Sequence, residues 1–529
     1  MLALALPLLV LRLPVTGIAL VAVLAQEIKP NGRFGELTTL GHQVFISSGK
    51  IPLALPLALA AVLAAAARSW PPARPRLRSA GGVLLGVAAA LVVLSVVSGL
   101  VHGQSPFSAV NQNARPFVLL LLGLIIGMSL RLLQDDRKSL EVTVGAALCV
   151  LLAAAAIAIP LGEIADDRLS DYFVYYDSAL PAIAAAVFIG VLGDDRWRWD
   201  WRHLSVVAAA PLLVLISFRR SVWLAALAAF VVVLVLTWQR WKRVARQLAF
   251  VVPALAVIVF AAPGFAADLG LRSAGSFELS SSPSGTPSPS STPTVSTAPS
   301  PSDTPSASTT PTASTTPSAN SGPVASGTPT ASSTPSANNA PTASSTPSAS
   351  SGQDGPSSPP TKAAPTQRTQ ESIKHQAEST TGHLSDLRLG WEYVQANPWT
   401  GVGPQSPQLP GLAAGDSTRV YVHNELLQDW LRYGPLAPVL VILFLVAAGL
   451  AALKAVRDPD SDVVVRSAAA FCLIAPLCLM TAPFLAETSR WPLVVGIAAG
   501  IVAPFLLPRG RPDRGTGIGS PSEVIDKAA

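Results

Sequence analysis

A chain of 529 residues that is 50% apolar and only 13% charged carries too little polar surface to cover a soluble globule of its size. This balance excludes an ordinary soluble enzyme and indicates that lipid is the solvent for much of the chain. The formal net charge of +6 arises from basic residues in short loops between apolar runs. It therefore reflects membrane topology, and we predict no nucleic-acid partner.

Apolar runs long enough to cross a hydrocarbon core recur along the chain, since a helical span needs roughly 20 residues to cross about 30 Å. We therefore predict an all-α, polytopic membrane protein with about twelve transmembrane helices. The first run has no small-residue cleavage site before Gln26, so we interpret it as a span and not as a signal peptide. The predicted spans are 3–25, 51–67, 80–101, 116–133, 141–162, 178–193, 204–218, 221–238, 248–267, 435–453, 467–485 and 491–507.

Basic residues in the short loops predict the orientation, because positively charged flanks stay in the cytoplasm during insertion. Both termini are placed in the cytoplasm on this basis, and we predict a multi-pass protein of the cytoplasmic membrane. The basic residues that would then face the cytoplasm include Arg68, Arg74, Arg76, Arg78, Arg131, Arg137, Lys138, Arg196, Arg198, Arg202, Arg240, Lys242, Arg243, Arg246, Lys454, Arg457 and Arg466.

One large extracytoplasmic loop is predicted between spans nine and ten, and its composition divides it in two. After a start at 268–275, residues 276–367 are almost wholly Ser, Thr, Pro, Ala and Gly. Such a segment cannot form a packed core, so we predict a disordered insert without active residues. Residues 368–434 contain tryptophan, tyrosine, histidine and arginine and predict an ordered helical region. The remaining divisions are spans one to nine at 1–267, spans ten to twelve at 435–507 and a cytoplasmic tail at 508–529.

The ordered part of the loop contains two predicted helices joined by a turn. Gly401, Gly403 and Pro404 predict the turn. The second helix leads into span ten, which places His423 and Asn424 at its outer end, near the membrane surface. The apolar residues that recur at helical spacing in the first helix are Leu384, Leu387, Trp391 and Val394.

Arg388 lies one residue off the apolar face of the first helix. It can form a surface pair with Glu392 one turn later, worth only about 0.3 to 0.5 kcal/mol. A helix-start histidine such as His423 is likewise often only a solvated or capping residue. Position alone therefore does not assign a function to either side chain.

Two adjacent arginines, Arg219 and Arg220, separate spans seven and eight within the sequence SFRRS. They fall on the predicted outer side, against the usual bias of positive charge to the cytoplasm. Charge at a lipid boundary is costly and marks a candidate site. The planar donor fork of arginine suits phosphate oxygens, so a lipid-linked phosphate is the ligand that we expect. Nonspecific contact with lipid headgroups is the alternative.

Taken together, these motifs resemble the O-antigen ligase and polymerase family of membrane glycosyltransferases. The resemblance rests on the order of several weak motifs and on the architecture of many spans with one large outer loop. Ala437 stands where a second glycine is common in the family, and the glycine after the motif arginine is replaced here. The register therefore leaves Arg219 and Arg220 both open, and Arg220 is favoured because Ser221, Val222 and Trp223 follow it. The residues that match are the stretch 217–225, then Arg388, Trp391, Pro398, Gly401, Gly403, His423, Asn424 and Gly434.

The resemblance implies transfer of a glycan from a polyprenyl diphosphate donor to an acceptor hydroxyl in the outer leaflet. His423 would be the general base, and Arg220, Arg219 and Arg388 would stabilise the departing diphosphate. Asn424 would orient the acceptor or the imidazole. Trp391 or Trp399 would stack on a sugar ring. We predict no metal and no cofactor.

Three alternatives remain open from the sequence. A polymerase differs from a ligase only in its acceptor, which is a second lipid-linked chain and not a separate glycan, lipid or protein. A transporter or flippase would also have many spans, although transporters concentrate polar groups at mid-membrane and often have related halves. A glycan-binding protein that has lost activity is the third reading.

Overall fold

A computed structural model gives the architecture of the chain. The second of the two units into which the chain divides, Ser282–Ala363, lies outside the described residues, as do the whole predicted insert and the predicted cytoplasmic tail. The structure describes residues 2–26, 44–45, 51–69, 77–163, 170–192, 194, 201–274, 383–404, 422–487 and 490–506.

Helices form all of the regular secondary structure in this described part of the chain, which confirms the all-α prediction there. The helices before the predicted large loop are α1 (Leu2–Arg12), α2 (Pro14–Leu24), α3 (Ala54–Ser69), α4 (Leu77–Val101), α5 (Arg115–Ser129), α6 (Gln134–Ala158), α7 (Ala179–Leu192), α8 (Trp201–Leu215), α9 (Arg220–Leu236), α10 (Trp241–Ala261) and α11 (Pro263–Ala274). Later helices are α12 (383–396), α13 (Glu425–Tyr433), α14 (Leu436–Arg457), α15 (Val463–Leu479) and α16 (Arg490–Val502).

Five helical segments of the described chain are long and apolar enough to cross a membrane. Seven further apolar helices of 10–17 residues overlap the other predicted spans. Each predicted span thus overlaps an apolar helix, but the number of complete crossings stays a prediction. The five long segments are Gly81–Val101, Pro106–Leu132, Gln134–Leu161, Trp238–Ala261 and Leu436–Arg457.

The first predicted span is two helices and not one, because the chain bends at Leu13 before Pro14 begins α2. Asp136, at the start of α6, accepts hydrogen bonds from the backbone N–H groups of Val15 and Thr16, both at 2.9 Å. A carboxylate from another helix therefore satisfies N–H groups at the start of α2 that no intrahelical carbonyl can reach.

Helices α5 and α16 pack backbone to backbone through two pairs of glycines. Gly123 and Gly127 of α5 face Gly496 and Gly500 of α16, and a Cβ built on any of the four would lie 2.2–2.4 Å from a carbonyl oxygen of the other helix. Small residues spaced four apart allow this approach, which lets two apolar helices gain dispersion contacts that lipid does not provide.

The close packing of α5 and α16 predicts that a single added methyl group lowers the stability of the protein. We expect Gly500→Ala to destabilise the protein by about 1–3 kcal/mol, because the Cβ would overlap the Leu124 carbonyl. Gly449→Ala in α14 is the matched control, since a Cβ there has nothing within 4 Å. Thermal unfolding in detergent measures both, and equal melting temperatures would contradict the packing described for α5 and α16.

Helix α15 lies in the centre of the bundle and packs against α7, α9, α14 and α16. At its amino-terminal end, Arg137 pairs with Asp462 at 2.5 Å and buried Arg466 pairs with Asp194 at 3.5 Å. These arginines belong to the predicted cytoplasmic set. The candidate functional residues lie toward the other end of α15, around Met480.

Candidate functional site

The arginine turn, residues 217–221, joins α8 to α9 through a strained backbone. Phe218 has φ 49°, a left-handed conformation that costs a non-glycine residue about 1–2 kcal/mol. Its ring is fully buried, with centroids 6.3 Å from Trp223 and 5.9 Å from Phe265. Burial of this ring offsets the strain and fixes the direction in which the next two residues leave the turn.

Arg219 is held by the segment 170–178. Its guanidinium donates to the backbone oxygen of Tyr176 at 2.6 Å and lies over the rings of Tyr176 and Phe173, at 5.1 and 5.7 Å from their centroids. These cation–π contacts and the hydrogen bond give Arg219 a structural role.

Arg220 is the first residue of α9, a helix of 17 residues, and is half-buried. The N-cap residue of α9 is Arg219, whose side chain does not cap the helix. The positive end of the α9 helix dipole therefore lies beside the guanidinium group of Arg220. A helix N-terminus and a guanidinium at one place favour an anionic ligand.

Contacts lead from the arginine turn across one end of the bundle. The segment that holds Arg219 continues from Tyr176 to Ser178, whose hydroxyl accepts a hydrogen bond from the indole nitrogen of Trp491 at 3.0 Å. Trp491 is fully buried near the start of α16. The turn and the amino-terminal end of α16 therefore lie at the same end of the bundle.

The same end of the bundle holds the start of α13. The ring of Phe484 stacks on Trp491 with centroids 4.9 Å apart. The next residue, Leu485, donates its backbone N–H to the fully buried carboxylate of Glu425 at 2.7 Å. Because Glu425 begins α13 directly after His423 and Asn424, the arginine turn and the histidine region share one end of the bundle.

Residues 383–404 fold as helix α12 and a turn that packs on α13. A small core of Val394, Val422 and Leu431 joins them, and the backbone N–H of Val402 donates to Leu431 at 2.7 Å. Gly401 has φ 65°, and a Cβ there would lie 2.5 Å from the Leu431 carbonyl. Glycine is therefore required at this point of the turn by both conformation and space.

His423 lies against two side chains of α12, and we call His383, Asp386 and His423 the His423 cluster. The Nδ1 atom of His423 is 3.2 Å from Oδ2 of Asp386. The rings of His423 and His383 have centroids 3.8 Å apart at 63°. His383 and Asp386 are one turn apart on one face of α12, so a single helix presents both to the imidazole.

The surroundings of His423 lower its pKa below the ordinary value. Partial burial is the largest cause, followed by the nearby His383, and the carboxylate of Asp386 opposes both. Desolvation and a second potential cation penalise the imidazolium form. His423 is consequently neutral at neutral pH, which is the form able to accept a proton.

The other predicted site residues have varied positions. Arg388 points to solvent with 84% of its side chain exposed and pairs with Glu392 at 3.2 Å. It lies about 200° around α12 from Asp386, so it does not share the face that meets His423. Trp391 and Trp399 are also exposed, Trp399 by 82%.

Asn424 is the N-cap of α13, with its side-chain oxygen accepting from the N–H of Leu427 at 3.0 Å. Its amide nitrogen donates to the Met480 carbonyl at 3.3 Å. Both ends of the amide are therefore used within the protein, and the start of α13 is fixed to the end of α15. These contacts orient the residue that precedes it, His423.

Sequence reasoning missed several polar residues of this region. The spacing of His383 and Asp386 indicates that both lie on one helical face. Nothing in the sequence pairs that face with His423, which follows Asp386 by 37 positions. Glu425, Gln428 and Asp429 on α13 are all fully buried, although their polarity predicts a solvated helix.

The His423 cluster is also the group of side chains, within the described residues, whose nitrogen and oxygen atoms are close enough to hold a metal ion. Its ligand atoms all lie within 4.8 Å of one another. Two imidazoles and one carboxylate form a ligand set suited to zinc and similar ions. From the sequence we expected no metal here.

Fold and site together define a helical, multi-pass membrane protein with a histidine–carboxylate pair and an arginine turn at one end. Residues 204–444 match the family model for O-antigen ligase, a stretch that begins in α8 and ends in α14. This match supports the resemblance to the O-antigen ligase family, a family of membrane glycosyltransferases, that the motifs indicated. No curated protein matches the sequence.

Proposed function

We propose that this protein transfers a glycan from a polyprenyl diphosphate donor to an acceptor hydroxyl at the extracytoplasmic face of the cytoplasmic membrane. The observation that carries the proposal is the pairing of His423 with Asp386 at the end of the bundle that also holds the arginine turn. A base for the acceptor and cations for the leaving diphosphate are the two requirements of this reaction.

His423 acts as the general base in this proposal, and Asp386 is a positioning residue. A carboxylate 3.2 Å from Nδ1 favours the tautomer in which Nδ1 carries the proton and Nε2 keeps its lone pair. The Nε2 atom then removes the proton from the acceptor hydroxyl. Asp386 stabilises the imidazolium that forms, as the carboxylate does in other histidine-based sites.

The bonds change in one displacement. The acceptor oxygen bonds to the anomeric carbon of the donor as its proton moves to Nε2 of His423. The bond between that carbon and the phosphate oxygen breaks, and its electron pair leaves with the polyprenyl diphosphate. Arg220 and the N-terminus of α9 stabilise the negative charge that develops there, and Arg219 supports the turn while adding its own charge.

The remaining predicted residues have lesser roles. Arg388, exposed on α12, binds the diphosphate or the glycan when the donor lies across that face. Trp391 and Trp399 offer exposed rings for sugar stacking. Asn424 orients His423 through the cap of α13. No resident metal or cofactor takes part in the transfer.

The same chemistry serves a ligase and a polymerase. For a ligase the acceptor is a glycan, lipid or protein hydroxyl, and for a polymerase it is the end of a second lipid-linked chain. In both cases the product is a cell-surface polysaccharide or glycoconjugate, and His423 receives the same proton.

The lowered pKa of His423 predicts how the rate of glycan transfer depends on pH below neutrality. The base must be neutral, so transfer should stay constant near neutral pH and fall only below about 6.5, the ordinary histidine value. Asp386→Asn removes the group that raises this pKa, and His383→Ala removes one that lowers it. The midpoint should therefore move to lower pH in Asp386→Asn and to higher pH in His383→Ala. Rate profiles in the presence of a chelator measure this, and two unmoved midpoints would contradict the role of His423.

Reconstitution tests the proposal itself. Purified wild type, His423→Ala and Arg388→Ala are placed in proteoliposomes with polyprenyl-diphosphate oligosaccharide, and consumption of the donor is followed. We expect consumption by wild type, near-complete loss in His423→Ala and a partial loss in Arg388→Ala. Undiminished transfer by both variants would overturn the assignment.

A further inference from the structure

The His423 cluster has the composition of a transition-metal site as well as that of a catalytic dyad. It contributes two imidazoles and one carboxylate. Two of the ligands, His383 and Asp386, come from one turn of α12, and the third comes from the segment before α13. A ligand set on two elements fixed by the Val394–Val422–Leu431 core is largely organised before an ion arrives.

The distances are close to those that a tetrahedral zinc ion needs. Zinc–nitrogen and zinc–oxygen bonds of about 2.0–2.1 Å put two ligand atoms about 3.3–3.4 Å apart. Nδ1 of His423 and Oδ2 of Asp386 are already 3.2 Å apart, and the ligand atoms of the three residues lie within 4.8 Å of one another. His383 is exposed, so a rotation of its side chain can bring its nitrogen to the ion.

We propose that the His423 cluster binds one Zn²⁺ ion, and that the bound ion inhibits glycan transfer by occupying the base. The binding stands on the geometry alone, whereas the inhibition rests on the proposed function of His423. Nitrogen and carboxylate ligands favour Zn²⁺ over Mg²⁺ or Ca²⁺, which prefer oxygen ligands. Three protein ligands leave a fourth position for water.

Inhibition follows from the chemistry of imidazole. When Nδ1 of His423 bonds to zinc, the neutral ring carries its proton on Nε2 and has no lone pair for the acceptor hydroxyl. When Nε2 bonds to zinc, the basic atom is occupied directly. In both arrangements Asp386 is drawn to the ion and no longer orients the base.

Direct binding tests the metal site without reference to activity. The full chain, purified in detergent and freed of metal, is titrated with Zn²⁺ against a chromophoric chelator at a fixed pH of about 7.5, because metal affinity depends on pH. We expect one zinc per chain at this site, with affinity weakened about 10-fold or more in His383→Ala and Asp386→Asn. His203→Ala, which removes a histidine of α8, should bind as wild type does. Equal affinity in wild type, His383→Ala and Asp386→Asn would overturn the site.

A parallel activity measurement tests the inhibition. Zinc should reduce transfer by wild type over the same concentration range in which it binds, and a chelator should restore the rate. Whatever rate His383→Ala shows should not fall at those zinc concentrations. Zinc binding with undiminished transfer would overturn the inhibition and leave the site. Absent zinc binding with normal transfer would overturn this inference and leave the proposed function intact.

Discussion

Replacing His423 with glutamine is expected to lower the rate of glycan transfer about 100- to 10,000-fold, the usual range for the loss of a general base. Glutamine is close in size and can still hydrogen-bond near Asp386, but it cannot accept a proton at neutral pH. The fold should persist because the imidazole is only partly buried, with 28% of the side chain exposed. Donor consumption in proteoliposomes measures the rate.

His203→Gln is the matched control for this change, since it makes the same substitution in α8. We expect its transfer rate to equal that of wild type, and the melting temperatures of both variants to stay close to that of wild type. A His423→Gln rate within about threefold of wild type would contradict a general-base role. A large fall in both variants would point to folding and not to chemistry.

Arg220→Ala is expected to lower transfer about 100- to 1,000-fold, comparable to the loss of one charge-stabilising donor at a transition state. Arg220 begins α9, where helix dipole and guanidinium add at one point. Arg220→Lys keeps the charge but loses the planar donor fork, so an intermediate rate is expected.

Arg219→Ala is the comparison variant for Arg220→Ala, because the contacts of Arg219 with Tyr176 and Phe173 are structural. We expect a smaller loss of transfer than in Arg220→Ala, together with a lower melting temperature. A larger loss of transfer in Arg219→Ala than in Arg220→Ala would mean that Arg219, and not Arg220, is the main residue that stabilises the diphosphate. Transfer at the wild-type rate in both variants would contradict a role for the turn in stabilising the diphosphate.

The all-helical fold could be predicted because the length of an apolar run is a strong signal in lipid. Bends and close contacts could not be predicted in the same way. The break at Leu13 depends on Asp136 of a distant helix reaching the start of α2. The α5–α16 contact depends on which glycines face each other, and a single sequence does not pair them.

Part of the candidate site could also be predicted from the sequence. His423, Asn424 and the arginine turn were singled out by motif and by charge against the positive-inside bias. The partners of His423 depend on the docking of α12 against α13, which brings Asp386 and His383 beside it. The predicted apolar face of α12 was only partly right, since Val394 is buried but Leu384 is 63% exposed. That helix turns its polar i, i+3 pair toward His423 at the cost of exposing Leu384.

Following both halves of the donor separates glycan transfer from transport. Proteoliposomes containing the full chain receive donor labelled separately in its glycan and in its polyprenyl diphosphate, together with an acceptor and a chelator. We expect the glycan label to appear on the acceptor in equal amount to free polyprenyl diphosphate, and neither product to form with His423→Gln. If the two labels stay joined while the donor crosses the membrane, glycan transfer is contradicted and the protein is a transporter.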